Sequence, residues 1–153
     1  MPISVPKRVP KREEDYLEAM LLISEKKKSI RIKDLAEMLN VRPPTVVEYL
    51  DKLARKGLIR YEKHEYIHLT REGRELAKKI YDRHMAIKEM LVRFFQVPED
   101  IAERDACYIE HGISSITMDR IVFFVKFLKE CSDIASRLAE YFKLYCEKKT
   151  CPY

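Results

Sequence analysis

The sequence predicts a mainly α protein, with an N-terminal winged helix-turn-helix followed by an all-helical part. Three observations predict it. Only three glycines occur in 153 residues, too few for a turn-rich β fold. Apolar residues recur at helical spacing over most of the chain. The strand-like stretches cluster at residues 58–62 and 66–70, around a tight turn at 63–65, and read as one hairpin placed just after two short helices.

Taken in order, residues 1–12 read as a basic arm. Pro2, Pro6 and Pro10 oppose helix, and Lys7, Arg8, Lys11 and Arg12 supply charge. The segment is either a disordered tail or an arm lying along phosphates. A first helix is expected over 13–25, with Tyr16, Leu17, Met20, Leu21 and Ile23 on its apolar face and an acidic start suited to the helix dipole. A short extended piece at 29–32 precedes a second helix at 33–39, which Asn40 closes because Asn tolerates left-handed backbone.

The third helix starts at Pro43-Pro44, where the amide protons would have no helical partner anyway, and runs to Gly57. After the hairpin, a long helix is expected over 72–95, capped by Thr70. Pro98 opens the next helix and Gly112 ends it. Two more follow, at 117–130 and 133–148. No internal repeat is visible. The sequence divides into an arm (1–12), a winged part (13–71) and a helical part (72–153).

Composition narrows the function classes. A hydrophobic fraction of 46% permits a real core, and 36% of residues are charged, well above the usual quarter. The net charge of +5 is compatible with nucleic acid without requiring it. No apolar run is long enough for a membrane span, and the N-terminus lacks the apolar core of a secretory signal. A cytoplasmic location without membrane partners is therefore expected.

The four cysteines lack the spacing of a disulfide framework. Asn40 and Gln96 are the sole Asn and Gln, a bias known in hyperthermophile proteins, where intracellular disulfides are less unusual. Cys131, Cys146 and Cys151 read as core filling or surface residues. A Cys146–Cys151 bridge requires the last helix to end near Lys149.

Residues 30–59 carry the helix-turn-helix pattern. Leu35, Ala36 and Leu39 form the inner face of the second helix, Val41 fills the turn, and Val46, Val47, Leu50 and Leu53 face inward from the third. The outer face then offers Arg42, Pro43, Pro44, Thr45, Glu48 and Tyr49 to the edges of bases in a major groove. Lys52, Arg55 and Lys56 are placed for phosphates, which position a protein without reading sequence. Lys63 and His64 either touch a flanking phosphate or form a solvated turn. The bland alternative is a helical hairpin used for protein contacts.

A second constellation carries metal chemistry. Residues three and four apart share a helix face, so Cys107, Glu110 and His111 converge. His84 approaches the same point if its helix packs as an antiparallel hairpin with theirs. Asp15 and Glu18 stand one turn apart on the first helix. Singly, each residue has an ordinary reading: a structural or solvated His, a small apolar Cys, a dipole-complementing Asp-x-x-Glu. Together, thiolate, imidazole and carboxylate make a set for first-row transition metals.

The stretches Glu14-Asp-Tyr-Leu-Glu18, the winged segment, Tyr81-Asp-Arg-His84, Cys107-Tyr-Ile-Glu-His111 and Asp119-Arg-Ile121 resemble the DtxR/MntR family of metal-dependent repressors over roughly residues 13–128. The resemblance implies a homodimer built from the helices after residue 72, hence a dimerisation domain, with two winged domains projecting outward. It places Asp15, Glu18, His84, Glu110 and His111 at ligand positions of the manganese-responsive branch. That branch usually has Glu where this chain has Cys107. The iron-responsive branch has Cys there, but Met at the position of Asp15.

Lys88 occupies a position of the iron branch's ancillary site, where its charge opposes a second cation. The SH3-like third domain of that branch is expected to be absent. The function implied is a metal-dependent regulator that binds a double-stranded DNA operator, a repressor by family habit. Its cofactor would be Fe2+ or Mn2+, with Zn2+, Co2+ or Ni2+ as in vitro substitutes. The metal would fix the two recognition helices about 34 Å apart or at a related helical spacing. The rivals are a metal-free winged-helix regulator sensing an organic ligand and a metal-dependent hydrolase. No catalytic residue is expected.

Overall fold

The computed structural model describes residues 9–61 and 66–151. It divides into two compact units, Met1–Tyr81 and Asp82–Tyr153. Among the described residues there are seven α-helices and one two-stranded sheet, the mainly α architecture expected.

The N-terminal unit begins with α1 (Lys11–Lys26). The carbonyl of Pro10 accepts the amides of Glu13 (2.8 Å) and Glu14 (3.1 Å). Pro10 therefore starts the helix, and Lys11 and Arg12, expected in the arm, form its first turn. The rest of the arm up to residue 8 lies outside the described residues. Next come α2 (Ile32–Leu39) and α3 (Pro43–Arg55). Asn40 closes α2 in the left-handed region (φ 50°) and Gly57 follows α3 at φ 73°.

The hairpin is shorter than expected. β1 (Ile59–Arg60) pairs antiparallel with β2 (His68–Leu69), Ile59 opposite Leu69. An isolated bridge joins Ile30 to Ile67, so the extended piece before α2 adds a third edge. Leu17, Met20, Leu35, Val46, Leu50, Leu53, Ile67 and Ala77 are almost wholly excluded from solvent and belong to one core.

The following helix, α4 (Arg71–Glu89), is capped as the sequence suggests: Thr70 Oγ1 accepts the amide of Gly73 at 3.0 Å. Gly73 is required for packing, because a Cβ there would lie 1.8 Å from the carbonyl oxygen of Leu58.

The C-terminal unit contains the end of α4, then α5 (Glu99–Gly112), α6 (Ser115–Glu130) and α7 (Ser132–Lys148). A π-helical turn at Met90–Phe94 replaces the regular helix expected through residue 95. Leu91 lies in a cluster with Ile87, Ala102, Ala106 and Met118, whereas Phe94 packs with Leu128 and Ala135. Ser114 caps α6 by accepting the amide of Thr117 at 3.2 Å. Phe123, Phe124 and Phe127 on α6 and Ile134, Leu138 and Phe142 on α7 are exposed, more apolar surface than isolated exposed residues account for.

Candidate functional site

In the N-terminal unit, the turn between α2 and α3 is fixed by the Val41 amide, which donates to Ala36 O at 3.0 Å. Val46, Leu50 and Leu53 turn the inner face of α3 into the core. Arg42, Pro43, Pro44, Glu48 and Arg55 are consequently exposed, and Thr45, Tyr49 and Lys52 half-buried.

Four of the outward residues, Glu48, Tyr49, Lys52 and Lys56, have structural contacts as well. The Tyr49 ring stacks on buried Tyr16 of α1, with centroids 4.7 Å apart and planes 17° apart. Lys52 Nζ sits 4.5 Å from the centre of that ring and 2.7 Å from Glu48 Oε1. The hydrogen bond it donates to Glu48 raises the pKa of the Lys52 ammonium. Lys56, expected at a phosphate, is paired with the buried Glu13 carboxylate at 2.6 Å. Lys63 and His64 lie outside the described residues.

In the C-terminal unit, Cys107, Glu110 and His111 each offer a donor atom, and these three atoms all lie within 4.8 Å of one another. The i, i+3, i+4 spacing on α5 brings this about. Ala102 and Ala106, both fully buried on the apolar side of α5, leave room for α4 in the same cluster as Ile87. His84 of α4 faces the group: its Nδ1 is 3.6 Å from Glu110 Oε1, while His111 Nε2 is 3.2 Å from the same oxygen.

The partners of α4 run backward along α5, His84 meeting Glu110 and Glu103, and Lys88 meeting Glu103 and Glu99. The two helices therefore form the antiparallel hairpin expected. Burial pushes the Glu110 carboxyl up, but the neighbouring imidazoles of His111 and His84 outweigh it and hold the group below the usual carboxylate range. A buried, ionised carboxylate flanked by two imidazoles and a cysteine sulfur is a donor set that fits a divalent transition metal.

Asp15 and Glu18 belong to the N-terminal unit. They stand one turn apart on α1, both half-buried. Of the six residues singled out from sequence, the structure thus groups Cys107, Glu110 and His111 with His84, and Asp15 with Glu18.

Sequence reasoning missed Glu103. Its Oε1 accepts from His84 Nε2 at 2.9 Å, and its Oε2 is 2.8 Å from Lys88 Nζ. Hydrogen bonding to Lys88, more than the opposing effect of burial, lowers its pKa. Its position four residues before Cys107, on the same face, was the available signal.

Two family models match this chain. Residues 9–67 match the iron dependent repressor N-terminal DNA binding domain, and residues 70–139 match the iron dependent repressor metal binding and dimerisation domain. An HTH-type transcriptional regulator of Methanocaldococcus jannaschii is 40% identical over 118 residues, 76% of this chain and 94% of that protein. The regulator MntR of Lysinibacillus sphaericus is 34% identical over 125 residues, 82% of this chain and 89% of that protein. Among solved structures, the manganese regulator SloR is similar at TM-score 0.65 and 30% identity, over 75% of this chain and 54% of that one. ScaR with bound Zn2+ is similar at TM-score 0.63 and 27% identity, with the same coverage. The chain spans about half the length of these two solved chains.

Proposed function

The chain belongs to the iron-dependent repressor family, and on that premise we propose that it is a repressor whose grip on an operator duplex is set by Fe2+ or Mn2+. The observation that carries this reading is the convergence of Cys107, Glu110 and His111 on α5 with His84 beside them, in a chain that also carries a helix-turn-helix.

The proposed ligands are His84, Cys107, Glu110 and His111 of the C-terminal unit, with Asp15 and Glu18 of α1 completing the set. A bound divalent ion supplies the positive charge that lets these anionic donors share one coordination sphere. Asp15 and Glu18 stand on the helix that carries Tyr16 and Glu13, and those two residues hold α3 through Tyr49 and Lys56. A constraint on α1 therefore reaches the DNA-reading helix through packed side chains. Arg42 and Thr45 address base edges, with Pro43 and Pro44 setting the start of the helix. Lys52, Arg55 and Lys63 meet phosphates.

The exposed aromatic faces of α6 and α7 support self-association as a homodimer, which in turn suits a two-fold operator. No helix among the described residues is long and apolar enough to cross a membrane. The Cys107 thiolate favours iron over manganese, while the carboxylates accept either ion. Metal titration of chelator-treated protein tests the ligand set. Glu110→Ala and His111→Ala should each weaken Co(II) or Mn(II) binding by about 10-fold or more, and unaltered affinity in both variants would remove the assignment.

A further inference from the structure

The second contact of His84 points to a function for Glu103. An imidazole ring that is neutral carries one proton on one of its two nitrogens, and the nitrogen without it is the one able to bind a metal. Glu103 and Glu110 both compete for that proton. Glu103 Oε1 lies 2.9 Å from Nε2, and Glu110 Oε1 lies 3.6 Å from Nδ1. The shorter, better-formed contact favours the proton on Nε2 and leaves the Nδ1 lone pair directed toward Glu110 and its neighbours.

Glu103 is itself held. Its other oxygen is 2.8 Å from Lys88 Nζ, and the same ammonium is 3.1 Å from Glu99 Oε1. The Lys88 side chain is largely buried while that of Glu103 is half exposed, so the anchoring comes from the position of the ammonium. The carboxylate is divided between two donors, one oxygen for each, which fixes its plane against the ring. Lys88 and His84 stand four apart on α4, and Glu99 and Glu103 four apart on α5. The hairpin therefore presents the whole relay Glu99–Lys88–Glu103–His84 on one seam. No net protonation change is involved, only the choice between two sites on one ring.

We propose that Glu103, anchored by Lys88, is a positioning residue that selects the Nε2–H tautomer of His84 and so presents Nδ1 as the metal-binding atom. This rests on the reading of His84 as a ligand given above, but its first readout needs no metal. Imidazole ¹⁵N shifts of the metal-free chain, at a pH where the ring is neutral, report the tautomer directly. The native chain should show protonated Nε2 at His84. Glu103→Leu removes the acceptor, and the proton should move to Nδ1 toward Glu110. Glu103→Gln should behave as the Leu variant does, because Lys88 claims its single amide oxygen and turns the NH2 group toward Nε2.

Co(II) binding supplies the second readout. Glu99→Gln deletes a negative charge from the same Lys88 without touching the ring, so the difference between Glu103→Gln and Glu99→Gln isolates the contact to His84. We expect Glu103→Gln to bind Co(II) at least about 10-fold more weakly than Glu99→Gln. Protonated Nδ1 in the native chain, or a His84 tautomer identical in the native and Leu chains, overturns the inference. A tautomer that moves in Glu103→Gln while Co(II) affinity stays equal in Glu103→Gln and Glu99→Gln supports the selection by Glu103 and overturns His84 as a ligand.

Discussion

Tyr16 of α1 stacks on Tyr49 of α3 with ring centroids 4.7 Å apart, and this contact ties the helix that bears Asp15 and Glu18 to the proposed DNA-reading helix. A second tie joins the ends of the same helices, Lys56 to Glu13 at 2.6 Å. The Tyr16 hydroxyl is buried and makes no hydrogen bond among the described residues, and burial raises its pKa. The ring, not the hydroxyl, is what the contact uses. Tyr16→Phe should therefore leave thermal stability unchanged or slightly raised, because a buried hydroxyl without a partner is a cost. Tyr49→Ala should lose about 1 kcal/mol from the aromatic pair beyond the area lost. Thermal melts of the two variants check this, and a marked loss in Tyr16→Phe would contradict it.

Asp34 closes the start of α2. Its carboxylate accepts from Lys27 Nζ at 2.6 Å and from the Arg31 amide at 3.2 Å. The Lys27 hydrogen bond holds its pKa below the ordinary value, against the opposing effect of burial. The group therefore adds stability above its unfolded pKa, and that contribution is lost as pH falls through the native pKa. Asp34→Ala should cost about 1–2 kcal/mol near neutrality and flatten the acid limb of the stability profile. Urea melts across a pH series measure both effects, and a parallel acid limb would contradict the assignment.

Gly73 has no room for a methyl group, since a Cβ would stand 1.8 Å from Leu58 O. Gly73→Ala should destabilise the N-terminal unit by about 1–3 kcal/mol through overpacking, despite the better helix propensity of Ala. A melt showing equal or greater stability would mean that the hairpin base yields more readily than its hydrogen bond from Thr70 to Leu58 O, 3.0 Å, suggests.

Arg55 is exposed at the end of α3. Arg55→Ala should weaken binding to all duplexes alike and reduce the slope of log affinity against log salt by about 1. Arg42→Ala should instead relax sequence preference. A salt titration against two unrelated duplexes separates the two roles, and interchanged behaviour would reverse the assignment of base and phosphate contacts.

Cys107 is the one soft donor in the proposed set. Cys107→Glu should shift metal preference from Fe(II) toward Mn(II), read as the ratio of the two activation midpoints in DNA binding. An unchanged ratio would show that the thiolate does not govern metal choice.

The fold was legible where one strong local rule acted. Pro98 and Gly112 bounded α5, Asn40 closed α2, and Thr70 capped α4. The rules weakened where two effects competed. Pro10 was read as a helix breaker, whereas a proline just before a helix can offer its carbonyl to the first turn, as it does to Glu13 and Glu14. The π-helical turn at Met90–Phe94 left no sequence signature, because it reflects packing of Leu91 and Phe94 in different clusters. At the site, Cys107, Glu110 and His111 were visible from their spacing. Glu103 was not, because a carboxylate among many on an acidic helix is informative only once its neighbours His84 and Lys88 are placed.

The central claim is that metal controls DNA binding through this donor set. The direct measurement is fluorescence anisotropy with a duplex selected by the Fe(II)-loaded protein from a random library, titrated with native protein in Fe(II), in Mn(II) and in excess chelator. The account predicts tight binding with metal and a loss of about 10-fold or more without it, in line with ordinary coupling energies. Equal affinity with metal and in chelator would contradict it.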